Sequence, residues 1–248
     1  MKNALPPLEP PPLEPGRHAL FLDFDGTLIA FAETPDGIEV SDDLHMLIDG
    51  ISERFAGAMA FVTGRGIANL RSHIGERRIA MAGAHGAEWS IDGQAHETLK
   101  GEGFDDQLTA VAAFAALHDA LVMEVKSGGL TLHYRRKPEL EADVFAIVEQ
   151  AFAGRDDFHI MPGHMMVEAR RAQADKGKAI ERFMKSAPFR GRVPVFLGDD
   201  VTDEFGFAPV NALGGISVRV GPGETQARYR LPDIAAVHDY LGAALKTG

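Results

Sequence analysis

The sequence predicts an α/β protein: a parallel sheet covered by helices, interrupted by an inserted α+β domain. Three patterns predict it. Over residues 18–82, short apolar runs alternate with segments of helical spacing, as crossover-connected parallel strands do. Between residues 86 and 170, apolar runs follow one another through short glycine turns, which favours antiparallel pairing with helices on one face. From Asp175 the first pattern returns. We therefore expect a proline-rich flexible tail over 1–16, a core from 17–85 with 171–248, and a cap over 86–170. A chain of 248 residues has room for both.

Each element has a local reason. The tail repeats Pro-Pro-Leu-Glu-Pro at 6–10 and 11–15. Such a stretch favours polyproline II and is excluded from sheet interiors. His18 to Asp23 is a short buried strand ending in an acidic turn. Leu44, Leu47, Ile48, Ile51 and Phe55 repeat at helical spacing behind Ser41, an N-cap residue. Strand Ala58–Thr63, helix Ile67–Ile74 and strand Ile79–Ala82 complete the first half. In the insertion, Asp92-Gly93 marks a hairpin within 86–99, and a helix follows near 105–119. Strands Leu121–Lys126 and Leu130–Arg135 flank Ser127-Gly128-Gly129, and a helix begins at Pro138 and runs to Phe152. Strands His159–Met161 and Met165–Ala169 surround Pro162-Gly163-His164. The core resumes with helix Lys176–Met184, strand Val193–Leu197, helix Thr202–Phe207, strand Ile216–Val220 and helix Val237–Leu245.

Composition excludes several classes. With 45% hydrophobic and 25% charged residues the chain can bury a core, so it is neither disordered nor fibrous. A formal charge of −11 lacks the footprint of a nucleic-acid binder. No apolar run reaches the ~18 residues of a membrane span, and the prolines at 6 and 7 break any signal-peptide pattern. The absence of cysteine removes thiol catalysis, thiolate zinc and disulfides. A cytoplasmic monomer with a small-molecule substrate is the expectation.

The chemistry concentrates at strand ends. Asp23-Phe24-Asp25-Gly26-Thr27-Leu28 follows the first strand, Thr63-Gly64-Arg65 the second, and Gly198-Asp199-Asp200-Val201-Thr202-Asp203-Glu204 the strand at 193–197. Open α/β sheets bind ligands at the carboxyl ends of their strands. Bringing Asp23, Asp25, Asp199 and Asp203 together costs repulsion and raises their pKa values. A hard divalent cation relieves that cost, and Mg²⁺ keeps waters that a phosphate can replace.

Asp23-Phe24-Asp25-Gly26-Thr27-Leu28 resembles the first motif of the haloacid dehalogenase (HAD) superfamily of phosphatases. Thr63-Gly64-Arg65 resembles the second, Lys176 in Asp175-Lys176-Gly177 the third, and Gly198-Asp199-Asp200 with Asp203 the fourth, in the superfamily's order. Further strings resemble the trehalose-6-phosphate phosphatase family. They are Ala82-Gly83-Ala84-His85-Gly86-Ala87-Glu88, His133-Tyr134-Arg135, Val167-Glu168, and the run from Val195 to Phe207.

The resemblance implies a HAD-like Rossmannoid core with a cap in the long gap between the second and third motifs. It implies an Mg²⁺-dependent phosphoric monoester hydrolase acting on a disaccharide phosphate. Asp23 is then the nucleophile. Asp25 is the general acid and base, and lends its backbone carbonyl to the metal beside Asp23 and Asp199. Asp200 and Asp203 orient metal waters or nearby cations. Thr63 and Gly64 meet phosphoryl oxygens, with Arg65 binding there or bracing the loop, and Lys176 neutralises transition-state charge. His85, Glu88, Lys126, His133, Arg135 and Glu168 are the candidate sugar-binding groups on or near the insertion. The alternatives are another capped sugar-phosphate phosphatase, of the sucrose phosphate or mannosyl phosphate type, a phosphomutase, or a non-catalytic sugar-phosphate sensor.

Overall fold

The computed structural model describes residues 8–31, 37–91, 93–97, 103–126, 128–163, 165–172 and 174–246. Asp92, Ser127 and His164 at the expected hairpin tips lie outside the described residues, as do residues 1–7 of the tail. The elements run β1 (His18–Leu22), α1 (Asp42–Arg54), β2 (Met59–Val62), α2 (Ile67–Ile74), β3 (Ala80–Gly83), β4 (Glu88–Ile91) and β5 (Gln94–Glu97). Then come α3 (Asp105–Ala115), β6 (Val122–Lys126), β7 (Gly129–His133), α4 (Glu141–Ala151), β8 (Phe158–Gly163) and β9 (Met166–Arg171). The chain closes with α5 (Lys176–Met184), β10 (Val193–Gly198), α6 (Val201–Ala212), β11 (Ile216–Val220), β12 (Tyr229–Leu231) and α7 (Ile234–Lys246). Two compact units result, residues 1–96 with 175–248, and residues 97–174.

Unit 1 is built on an eight-stranded sheet in the order β12-β11-β10-β1-β2-β3-β4-β5. The first six of these strands are mutually parallel, and β4 runs antiparallel to β3. The sheet is therefore mixed. The hairpin expected to open the insertion instead extends this sheet, because β4 pairs with β3 through Met81 opposite Ser90. The unit boundary falls after residue 96, not at 86.

Strand β1 is buried throughout, and its alternation serves both faces. Leu20 and Leu22 pack with Leu44, Ile48 and Ile51 of α1 and Leu241 of α7. Ala19 and Phe21 pack with Ile180 and Phe183 of α5 and Phe207 of α6. Phe21 stacks on Phe189 at 5.4 Å between centroids. Each such ring or branched chain contributes roughly 1.5–3 kcal/mol on burial, so the central strand is anchored from both sides.

The proline-rich stretch is not a free tail from Leu8 onward. Leu8 forms a parallel bridge with Tyr229, Leu13 is 6% exposed, and Tyr240 Oη donates to the Pro11 carbonyl at 2.7 Å. The Arg192 guanidinium donates to the Pro15 carbonyl. Prolines lack N–H groups but keep their carbonyls, and here side chains of the core read those carbonyls. Helix α6 also runs past Phe207 through Pro209. Pro209 leaves the Phe205 carbonyl without a helical donor, and Gly177 of α5 lies against it. A Cβ at Gly177 would stand 2.3 Å from that oxygen. The short strand β12 has no apolar run to announce it; pairing with β11 creates it.

Unit 2 holds the antiparallel sheet β6-β7-β9-β8. Leu130, Leu132, Val167 and Ala169 turn to one face and pack with Val111 of α3 and Val144 and Val148 of α4. The α+β insertion with helices on one face thus follows from strand alternation.

Candidate active site

Asp23, Thr63 and Asp199 follow the carboxyl ends of β1, β2 and β10, three adjacent strands at the centre of the unit 1 sheet. The first loop folds back tightly: Leu28 N donates to the Phe24 carbonyl and Gly26 N to that of Ile29. Gly26 has φ +78°, and a Cβ there would lie 2.1 Å from Asp199 Oδ2. Both the left-handed backbone and the close carboxylate require glycine. Thr27 is buried and donates its hydroxyl to Asp199 Oδ1 at 3.0 Å. Sequence reasoning gave Thr27 no role; its place in the first motif was the available signal.

Two carboxylates meet one ammonium, and a third stands beside them. Lys176 Nζ lies 3.0 Å from Asp23 Oδ2 and 2.7 Å from Asp203 Oδ1. It is the first residue of α5, whose N-cap Asp175 accepts from Gly177 N and Lys178 N. Asp203, in the first turn of α6, is fully buried. Its Oδ2 accepts from Asp199 N and Asp200 N, both at 2.9 Å, so it shapes the acidic loop from within. Asp200 is exposed and caps α6. Carboxylate oxygens of Asp23, Asp199 and Asp203 all lie within 4.8 Å of one another.

The electrostatics follow from that count. Burial, then Asp203, push the Asp23 carboxyl well above its usual range, with Lys176 opposing. Burial and Asp203 push Asp199 up to about 6. Burial disfavours the Lys176 charge, but Asp203 and Asp23 outweigh it and hold Lys176 above its ordinary value. Carboxylates in excess of cations, all hard oxygen donors, fit a divalent ion such as Mg²⁺.

Asp25 is not in that carboxylate trio; its side chain turns to Arg65. Arg65 Nε donates to Asp25 Oδ2 at 2.6 Å and Nη2 to Oδ1 at 2.7 Å. The second-motif loop is tied internally, with Arg65 N donating to Thr63 Oγ1 at 3.1 Å and His85 N to the Thr63 carbonyl. His85 adopts φ +56° and sets its ring over Gly64, where a Cβ would lie 2.7 Å from Cε1. A non-glycine residue in that region is strained. Glu88 of β4 accepts Ile67 N at 2.8 Å. It supplies the N-terminal cap of α2 that Gly66 cannot.

In unit 2, Glu168 of β9 stands opposite Thr131 of β7 and Met161 of β8. His133 Nε2 lies 3.3 Å from Glu124 Oε2, and Arg135 is exposed in the turn after β7. Lys126 ends β6; its side chain lies outside the described residues. Glu124 was missed from sequence. Its place two residues before Lys126 in an alternating run was the signal.

A family profile described as Trehalose-phosphatase matches residues 21–235. The chain belongs to the trehalose-phosphatase family. It is 37% identical over 229 residues to a probable trehalose-phosphate phosphatase of Sinorhizobium fredii, covering 91% of this chain and 86% of that one. It is 35% identical over 237 residues to the trehalose-6-phosphate phosphatase of Escherichia coli, covering 95% and 89%. Among solved structures, the C-terminal domain of Candida albicans trehalose-6-phosphate phosphatase superposes with a TM-score of 0.80. That match covers 96% of this chain and 98% of that one at 22% identity, and supports the fold. Trehalose phosphatases are phosphoric monoester hydrolases, and the HAD-like fold expected from the motifs is the fold observed. Among the described residues, no helix is long and apolar enough to cross a membrane.

Proposed function

We propose that the chain is an Mg²⁺-dependent phosphatase that hydrolyses trehalose 6-phosphate to trehalose and phosphate through an aspartyl-phosphate on Asp23. The observation that carries the reading is the close cluster of Asp23, Asp199 and Asp203, with Lys176 paired to Asp23 and Asp203, beside the ends of the adjacent strands β1 and β10 in a trehalose-phosphatase chain.

An Asp23 oxygen attacks phosphorus, and the bond from phosphorus to the sugar oxygen breaks. Asp25 gives that oxygen its proton, then takes one from the water whose oxygen attacks phosphorus and releases Asp23. Thr63 and Gly64 hold phosphoryl oxygens, and Lys176 balances charge on Asp23 and the phosphoryl group. Asp23, Asp199 and the Asp25 backbone carbonyl would hold Mg²⁺; Asp203 and Asp200 keep the loop in shape. When bound, the ion withdraws charge from the phosphoryl oxygens. Lys126, His133, Arg135 and Glu168 bind the sugar, with His85 supporting the phosphate loop.

The test is phosphate release from trehalose 6-phosphate beside glucose 6-phosphate, sucrose 6-phosphate and a mannosyl phosphate ester, with Mg²⁺ and with EDTA. Trehalose 6-phosphate is expected to lead by roughly tenfold or more, as one charged hydrogen bond to the second ring allows. Equal turnover of all esters, or full activity in EDTA, refutes the reading.

A further inference from the structure

The face of the unit 2 sheet opposite its helices presents Glu124, Thr131, His133, Met161, Glu168 and Arg170, by strand alternation and register. Arg170 differs from its neighbours. It is 6% exposed. Its Nε and Nη1 meet no hydrogen-bond partner among the described residues, and Nη2 reaches the Met161 sulfur at 3.3 Å. A thioether is a weak acceptor. The adjacent Arg171, on the other face, donates to Asp157 Oδ2 at 2.7 Å, so this strand pairs one arginine and leaves the other without an oxygen acceptor among the described residues.

A guanidinium keeps its proton at any working pH. Buried charge without an acceptor is among the costliest arrangements a fold can hold. An orphaned donor of this kind calls for an explanation, and a ligand that completes it is one.

We propose that Arg170 is a sugar-binding residue, and that an oxygen of the trehalose moiety takes the place of the Met161 sulfur before its guanidinium. The inference rests on trehalose 6-phosphate being the substrate. Met161 is the movable part. It is half-buried, unbranched and rich in rotatable bonds, so it can leave without moving the strand. Arg170 brings donors to a face where Glu168 and Glu124 bring acceptors, and a polyol needs both. The planar fork also suits two neighbouring oxygens.

The experiment compares wild type, Arg170→Met and Arg170→Lys. Thermal unfolding is measured without substrate, and kcat/KM is measured on trehalose 6-phosphate and on p-nitrophenyl phosphate. Methionine keeps the stem and removes the unpaired charge, so the Tm of Arg170→Met is expected to rise. Its kcat/KM on trehalose 6-phosphate should fall roughly 10- to 150-fold, the loss of a hydrogen bond to a charged group. The p-nitrophenyl ester, which has no sugar, should lose little. Arg170→Lys keeps a charge without the fork, and should lose sugar-ester activity with no gain in Tm. A lower Tm or failure to fold in Arg170→Met means that the protein itself completes the guanidinium, and overturns the proposal. So does a raised Tm with sugar-ester activity intact, or an equal loss on both esters. Should wild type prefer another sugar ester, the substrate reading fails separately, and the same comparison on that ester decides Arg170.

Discussion

Arg65 grips both oxygens of Asp25, Nε to Oδ2 at 2.6 Å and Nη2 to Oδ1 at 2.7 Å. The fork is itself held: Nη1 donates to Asn69 Oδ1 at 2.7 Å, and the Arg65 N–H donates to Thr63 Oγ1. The first turn of α2 and the end of β2 thus aim the carboxyl group that sits two residues beyond Asp23. A two-point charge-assisted contact fixes angle as well as distance. Arg65 acts through Asp25 in this arrangement, as a positioning residue.

Arg65→Lys keeps the charge and loses the fork. Misplacing the proton donor should lower kcat/KM on trehalose 6-phosphate by up to about 10²-fold. The phosphorylation step on p-nitrophenyl phosphate should suffer less, because that leaving group needs no proton. Asp25→Asn should show the same split, more strongly, with a loss of roughly 10²–10⁴-fold on the sugar ester. Burst kinetics on both esters check this; equal losses would assign Arg65 to the phosphate instead.

Lys176 is the sole ammonium facing Asp23 and Asp203 among the described residues. Lys176→Met leaves those buried carboxylates without it. Removing one partner of a buried pair costs roughly 3–5 kcal/mol, or about 6–20 °C in Tm for a chain this long. Asp23→Asn should remove turnover and cost less stability, since Asp203 still pairs Lys176. Thermal unfolding of both variants without metal measures the difference, and a Tm for Lys176→Met equal to wild type would contradict it.

Asp199 contributes one of three close carboxylates. Asp199→Asn should raise the metal-free Tm, because it removes repulsion, and should shrink the further rise that Mg²⁺ produces. Calorimetric titration with Mg²⁺ should show weaker binding by the variant. EDTA should abolish wild-type activity and added Mg²⁺ restore it. An unchanged affinity for Mg²⁺ in Asp199→Asn removes Asp199 from the metal site.

His18 ties the pH response to the docked N-terminal segment. It is 2% exposed, and its Nδ1 accepts the Glu14 N–H at 3.0 Å, so the ring is neutral there. Burial holds its pKa below the ordinary value. The unfolded chain therefore takes up the proton more readily than the folded one. The stability it contributes is full above about pH 6.5 and is lost as pH falls below that. His18→Asn keeps an acceptor near Nδ1 without a titrating ring, and should flatten the slope of stability between about pH 5 and 7. Urea midpoints across that range measure it, and parallel slopes in the two proteins would discount His18.

Local signals were enough for the order of every element but β12, and for the four acidic, basic and threonine motifs. Ser41 caps α1, Ile67–Ile74 and Lys176–Met184 form helices, and Ile216–Val220 forms a strand, as periodicity and capping residues require. These depend on residues within a turn or two of each other, so the sequence carries them. Partners far apart in the chain are another matter. That Leu8 would bridge Tyr229, that Glu88 would cap α2, and that the hairpin at 88–97 would extend the sheet of unit 1 depend on neighbours the linear pattern does not name. The same holds at the site. The sequence by itself determined which aspartates lie at strand ends. Only the tertiary structure decided that Asp203 is buried against Lys176 while Asp25 turns to Arg65, because a carboxylate's role is set by which cation reaches it through space.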